Sequence, residues 1–110
     1  MKDKTLGLIS ISRKAGRLAI GFDPVAEALA AGRAYLILTA ADLSPKTRSE
    51  LDYRIKQSAK TVEVIELPLA MDDLSAVLGK RAGVLAVADQ GLADALRRQT
   101  HKEENHEYVG

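Results

Sequence analysis

Apolar residues along the chain follow two alternating spacings. Stretches in which they recur every three or four residues predict helices, and the short apolar runs between these stretches predict strands. The predicted helices cover about residues 5–14, 24–31, 45–59, 71–78 and 89–98, and the predicted strands cover about 18–20, 35–38, 62–67 and 84–88. Because strands alternate with helices, the sequence predicts an α/β fold, a three-layer α/β/α sandwich with a mixed four-stranded sheet.

The stretch Gly21–Thr39, with the sequence GFDPVAEALAAGRAYLILT, is the centre of this pattern. Asp23 is a good N-cap, Pro24 suits the first helical position, and Gly32 ends the helix before the next strand. A helix that starts from a glycine-containing loop offers N–H groups and a positive dipole end to a phosphate or another acceptor-rich ligand. The alternative is a capped core helix without a ligand. These residues alone favour that alternative, because most helix N-termini contact only water.

N-cap residues predict three further helix starts, at Thr5, Ser44 and Asp89. Ser44 is followed by Pro45, which fits the first position of a helix. Tyr53 is expected to join the buried side of the helix that begins there.

Length and composition indicate one small domain. The 110 residues predict a single domain over 1–98, followed by a polar tail over 99–110 that is expected to be disordered because it has little apolar surface. No apolar run is long enough for a membrane span and the N-terminus has no signal-peptide pattern, so a cytoplasmic protein is expected. Cysteine is absent and the two histidines, His101 and His106, lie in the tail. Thiol chemistry is therefore excluded, and no metal or cofactor is expected.

Charge is slightly positive and unevenly placed. The formal net charge is +1, but residues 1–99 hold 15 basic and 12 acidic groups because the last 11 residues are acidic. Arg13, Lys14 and Arg17 flank the end of the first predicted helix. They can contact RNA phosphates or complement the dipole of that helix, and the sequence leaves both interpretations open.

Signatures of common enzyme classes are absent. The chain has no GxGxxG, GxxxxGK[ST], GxSxG or HExxH pattern. The adjacent carboxylates Asp72 and Asp73 lie at a predicted helix start, where capping is their more common role. A non-catalytic binding module is therefore favoured over an enzyme.

The order of three segments resembles the ribosomal protein L7Ae family of kink-turn RNA binders, and in particular its short bacterial YlxQ-like members. The segments are LGLISISRKAGRLAIG, ALAAGRAYLILTAADLSPKT and DLSAVLGKRAGVLAVADQGLADAL, and together they cover about Leu6–Leu96. The resemblance implies an α/β/α sandwich that binds structured RNA, such as kink-turn or ribosomal RNA. It implies RNA contacts in three segments, Gly21–Glu27, Ala41–Lys46 and Gly79–Gly83. The candidate contact residues within them are Gly21, Phe22, Asp23, Glu27, Ser44, Lys46, Lys80 and Arg81.

Several positions depart from the pattern of that family. Where kink-turn binders carry Asn-Glu and then Lys three residues later, this chain has Asp23-Pro24 and then Glu27. Asp23 can accept a hydrogen bond from a guanine but cannot donate one, and Glu27 would repel phosphate. Ser44 stands where an acidic residue often contacts the flipped base, and Lys80 replaces an apolar residue.

Two interpretations of these departures compete. Either the protein binds RNA through a shifted basic surface, or it keeps the fold and serves as a protein-interaction module. We favour RNA binding, because losing a bidentate base contact typically costs about 1–3 kcal/mol and so weakens binding without abolishing it. The expected phosphate contacts are Arg13, Lys14, Arg17, Lys80 and Arg81. A third interpretation, a small-molecule site or an enzyme at the strand ends, lacks its motifs.

The resemblance also implies association with the ribosome or another structured RNA, and a monomer is expected in isolation. Phe22 can stack on a base or act as a hydrophobic staple for its helix, and the staple is the preferred interpretation.

Overall fold

The computed structural model describes the backbone of residues 2–109 and the side chains of residues 4–102. Helices and strands alternate along it in the order α1 (Lys2–Lys14), β1 (Leu18–Ile20), α2 (Phe22–Ala30), β2 (Leu36–Thr39), α3 (Pro45–Gln57), β3 (Val64–Glu66), α4 (Met71–Leu78), β4 (Val84–Val87) and α5 (Gln90–Val109). This order confirms the alternation that the hydrophobic pattern predicted. Among the described residues, no helix combines the length and apolar character needed to cross a membrane.

The strands form one mixed sheet in the order β1-β4-β2-β3. β4 pairs antiparallel with β1 and with β2, and β2 pairs parallel with β3. The carboxyl ends of β1 and β2 therefore lie at the same edge of the sheet as the start of β4. We call this the upper edge, and it is marked by Ile20, Thr39 and Val84. The opposite, lower edge is where β1 and β2 begin and β4 ends.

Side chains of the central strands pack into two hydrophobic clusters, one on each face of the sheet. β2 and β4 are buried along their full length, so successive residues can alternate between the faces. Leu36, Leu38, Leu85 and Val87 belong to the cluster formed with α1, α4 and α5. Ile37, Val84 and Ala86 belong to the cluster formed with α2 and α3. The three-layer sandwich is therefore confirmed.

Helix α2 begins two residues earlier than the sequence predicted. Its N-cap is Gly21, and Asp23 and Pro24 lie inside the first turn, so the predicted N-cap role of Asp23 is wrong. The main-chain N–H of Gly21 still donates to Val84 O at 2.9 Å, which extends the β1–β4 ladder up to the helix. The chain must then turn at once, and Gly21 does so with φ 98° and ψ 164°, a region that is essentially limited to glycine.

Two other predicted N-caps are confirmed, and one is wrong. Ser44 Oγ accepts from Thr47 N at 3.2 Å, and Asp89 Oδ2 accepts from Leu92 N at 2.9 Å. Thr5 is instead a buried residue within α1, because that helix already begins at Lys2.

Two predictions of burial and order are also corrected. Tyr53 lies on the outer side of α3 and is 60% exposed, while Leu51 fills the core position. Helix α5 continues past Arg98, where the tail was predicted to begin. Thr100 is buried and its hydroxyl donates to Leu96 O at 3.0 Å, so the start of the tail belongs to the helix.

Candidate functional site

The upper edge of the sheet carries a cleft of about 350 Å³. Three connections surround it: the turn between β1 and α2, the loop between β2 and α3, and the loop between α4 and β4. The lining residues are Gly21, Phe22, Asp42, Leu43, Ser44, Thr47, Met71, Arg81, Ala82, Gly83 and Val84. Each connection contributes residues, so the fold brings three distant segments together in one site.

Three helices begin at this cleft. Phe22, Thr47 and Met71 line it, and they belong to the first turns of α2, α3 and α4. Each helix N-terminus carries a partial positive charge of about half an elementary charge. The main chain alone therefore gives the cleft a positive potential that favours an anionic or acceptor-rich ligand.

The N-terminus of α2 differs from the other two because no side chain caps it. In α3, Ser44 accepts from Thr47 N. In α4, Asp42 Oδ1 accepts from Met71 N at 2.9 Å and Asp73 Oδ2 accepts from Ala70 N at 2.9 Å. The N–H groups of Phe22 and Asp23, at the start of α2, therefore have no side-chain cap.

Arg81 adds a cationic side chain to the lining of the cleft. Its guanidinium forms an ion pair with Asp72 in the first turn of α4. The two side chains are 58% and 81% exposed, respectively, so solvent screens the pair and it contributes little to stability. A phosphate group could therefore compete with Asp72 for Arg81 at small cost.

Close packing fixes the floor of the cleft at Gly83. A Cβ atom built there would lie 2.9 Å from Leu43 Cδ1 and 3.2 Å from Met71 Sδ. The loop after β2 is also tied to the connection between β3 and α4, since Ala41 N donates to Leu69 O at 2.8 Å. Glycine at position 83 therefore leaves room for Leu43 and Met71, which any larger side chain there would displace.

Residues 3–97 match the sequence profile of the Ribosomal protein L7Ae/L30e/S12e/Gadd45 family. The chain belongs to this family. It is 36% identical over 90 residues to the large ribosomal subunit protein eL30B of Schizosaccharomyces pombe, covering 80% of this chain and 75% of that protein. It is 31% identical over 90 residues to the eL30 protein of Dictyostelium discoideum, covering 80% and 79% of the two chains.

Two solved structures share the L7Ae/L30e fold with this chain. A protein of unknown function from Bacillus halodurans superposes with a TM-score of 0.76 at 23% identity, covering 86% of this chain and 94% of that one. The 15.5 kD RNA binding protein of Giardia lamblia superposes with a TM-score of 0.69 at 16% identity, covering 91% and 84%. At these identities the likeness establishes the fold alone.

The three segments implied by the L7Ae resemblance all reach the cleft. Gly21, Phe22, Ser44 and Arg81 line it. The remaining candidates in these segments are exposed and flank the cleft along the chain: Asp23 and Glu27 on α2, Lys46 in the first turn of α3, and Lys80 beside Arg81. Asp23 and Glu27 are four residues apart, so they lie on the same side of α2.

The other three basic candidates do not reach the cleft. Ala88 N donates to Arg17 O at 2.9 Å, which places Arg17 at the lower edge of the sheet. Gly21 follows four positions later, after the three residues of β1, and so lies about 13 Å away along the strand direction. Lys14 is exposed at the end of α1, on the approach to that edge. Arg13 Nη1 donates to Val77 O at 3.4 Å, so this guanidinium lies against the C-terminal end of α4.

Phe22 packs against the core instead of standing free. It is the first residue of α2 and not the residue before its N-cap, so it is not a hydrophobic staple. It joins the cluster between the sheet, α2 and α3, and Arg54 Cζ lies 5.8 Å from the centre of its ring. A cation thus already covers the ring that could have stacked on a base.

No contact with a ligand was predicted for Asp42, Met71 or Arg54. Asp42 lies in an expected segment, but its bond to α4 joins residues 29 positions apart and has no local signal. Met71 was recognised only as the start of a helix. Arg54 belongs to a stretch of alternating charges that is typical of a solvated face.

A second hollow, of about 610 Å³, lies between α1 and α5 and includes Leu8, Ala95 and Arg98 in its lining. It is larger than the cleft, but no helix begins there, and it shares no residue with the three segments described above. Within the described residues, no group of histidine and acidic side chains could hold a metal ion.

Proposed function

We propose that this chain is a small, non-catalytic RNA-binding protein that associates with the ribosome. The observation that carries the proposal is the uncapped N-terminus of α2 beside Arg81 in one cleft. Uncapped N–H groups bind phosphate or guanine acceptor atoms, and arginine neutralises phosphate. The names of the relatives support the same function, since they include ribosomal proteins and an RNA binding protein.

The finer proposal is that the RNA contains a kink-turn. Such an RNA exposes guanine edges and a flipped nucleotide next to two close backbones, and a helix N-terminus can contact these without an aromatic platform. Asp23 and Glu27 oppose phosphate binding, so we expect a weaker and more salt-sensitive complex than in typical kink-turn binders. We further propose that the protein is a YlxQ-like member of its family and acts as a monomer in the cytoplasm.

The alternative, a protein-interaction module, is less well supported. Among the described residues, the exposed large hydrophobic side chains are Ile11 and Tyr53. They lie on α1 and α3, in opposite layers of the sandwich. They cannot form one apolar patch of the kind that marks a protein interface.

A pair of charge reversals tests the proposed site. Replacing both Lys80 and Arg81 by Glu should weaken binding to a kink-turn RNA and flatten its salt dependence, because two phosphate contacts are lost. The matched control carries Lys14→Glu and Arg17→Glu, with the same charge change away from the cleft. Loss of affinity confined to the first variant supports the cleft. Equal losses would extend the site to the lower edge, and unchanged binding by the first variant would remove the cleft loop from the site.

A further inference from the structure

Two neighbouring side chains of α3, Tyr53 and Arg54, extend the surface of the cleft beyond its three loops. Phe22 lines the cleft, and the guanidinium of Arg54 lies over its ring. Arg54 also lines two shallow hollows farther along α3, one beside Tyr53 and one between α2 and α3. A continuous surface therefore leads from the cleft along this helix.

Arg54 is suited to bind a phosphate on this surface. It is exposed, and none of the ion pairs of the described side chains includes it, whereas Arg48 on the same helix is paired with Asp52. The cation–π contact with Phe22 holds the guanidinium in place and leaves its N–H donors without a carboxylate. Glu50 lies four residues before Arg54 on α3 and lines the hollow beside Tyr53, so its carboxylate opposes a phosphate within that hollow.

Tyr53 is suited to stack on a base. Its side chain is 60% exposed, and its hydroxyl accepts a hydrogen bond from Gln57 Nε2 at 3.0 Å, which restrains the ring along α3. An exposed aromatic ring beside a cationic side chain is a common platform for an unpaired nucleotide. Tyr53 lies nine residues after Ser44, which is about 13 Å along the helix from the cleft.

We propose that α3 binds a single-stranded flank of the RNA held in the cleft, with Arg54 on a phosphate and Tyr53 stacked on an unpaired base. This inference rests on the proposed function, because the cleft anchors the RNA from which the flank extends. It adds a second contact region outside the three loop segments.

The test compares three RNAs: a standard kink-turn RNA, and the same RNA with a short oligoadenosine extension at its 5′ or its 3′ end. Affinity is measured for the full chain and for Tyr53→Ala, Tyr53→Phe, Arg54→Gln and Ile11→Ala. Ile11 is the matched control, since it is 54% exposed on the opposite layer. The exposure of Tyr53 means that its variants should fold normally, which circular dichroism can verify.

One of the two extensions should tighten binding of the wild-type chain by at least about fivefold, the effect of one stacked base. Tyr53→Ala should abolish this gain, while Tyr53→Phe and Ile11→Ala keep it, and Arg54→Gln should reduce the salt dependence of binding. A gain that survives Tyr53→Ala, or no gain from either extension, would overturn the inference while leaving the cleft in place. A wild-type chain that binds none of the RNAs would overturn the proposed function and the inference together.

Discussion

Replacing Asp72 by Asn should strengthen RNA binding, because Asp72 competes with phosphate for Arg81. The two side chains form an exposed ion pair at the cleft. A phosphate bound to Arg81 would lie about 5 Å from the Asp72 carboxylate, and at that distance in water two like charges repel by about 0.8 kcal/mol. Screening at physiological salt reduces this repulsion roughly by half. The variant should therefore bind a kink-turn RNA about two- to fourfold more tightly.

The assay is a titration of labelled RNA followed by fluorescence anisotropy at several salt concentrations. The plot of log affinity against log salt should also become steeper, by up to about 0.9, because Arg81 then neutralises a phosphate without losing a carboxylate partner. Glu63→Gln is the matched control. It makes the same charge change and removes one partner of Arg97, at the lower edge of the sheet. Weaker binding by Asp72→Asn, or an equal gain from Glu63→Gln, would refute the role of Arg81.

Three further substitutions test the fold and the site. Gly21→Ala should destabilise the protein by about 1–3 kcal/mol in chemical denaturation. The cause is backbone strain and not a steric clash, since the nearest atom to the new Cβ would be Pro24 Cδ at 3.9 Å. Gly7→Ala is the control and should not destabilise the protein, because Gly7 lies in open space on α1. Arg97→Ala should cost about 1–3 kcal/mol because it removes hydrogen bonds to three groups, one of them Tyr35 O at 2.7 Å, yet RNA affinity should stay unchanged. Glu27→Lys should tighten RNA binding by up to about tenfold at low salt, and an unchanged affinity would show that α2 lies outside the interface.

Local sequence signals predicted the elements of the fold well where one interaction dominates. The run Val84–Val87 is apolar throughout and forms a central strand, and Ser44 followed by proline starts a helix. At the start of α2, Gly21 and Asp23 compete for the N-cap. The hydrogen bond from Gly21 to Val84 decides between them, and it depends on a strand that comes much later in the chain.

The sequence predicted which chain segments form the candidate site, but not which side chains contact each other within it. The resemblance implied the three segments that meet at the cleft. The pairing of Asp42 with the start of α4 and of Arg81 with Asp72 depends on how α4 packs beside the sheet, which no local pattern determines. The separation of Arg17 from the cleft likewise follows from the direction of β1, which leads from Arg17 at the lower edge to Gly21 at the upper edge.

Recognition of RNA by the cleft is tested most directly by the affinity of the wild-type chain for a kink-turn RNA and for a matched duplex without the kink, each at two salt concentrations. Tighter binding to the kinked RNA is expected at both concentrations, because the uncapped N–H groups of α2 contact acceptors that a regular duplex does not present. Equal, salt-sensitive binding to the two RNAs would contradict recognition of the kink by the cleft. Binding to neither RNA would contradict the proposed function.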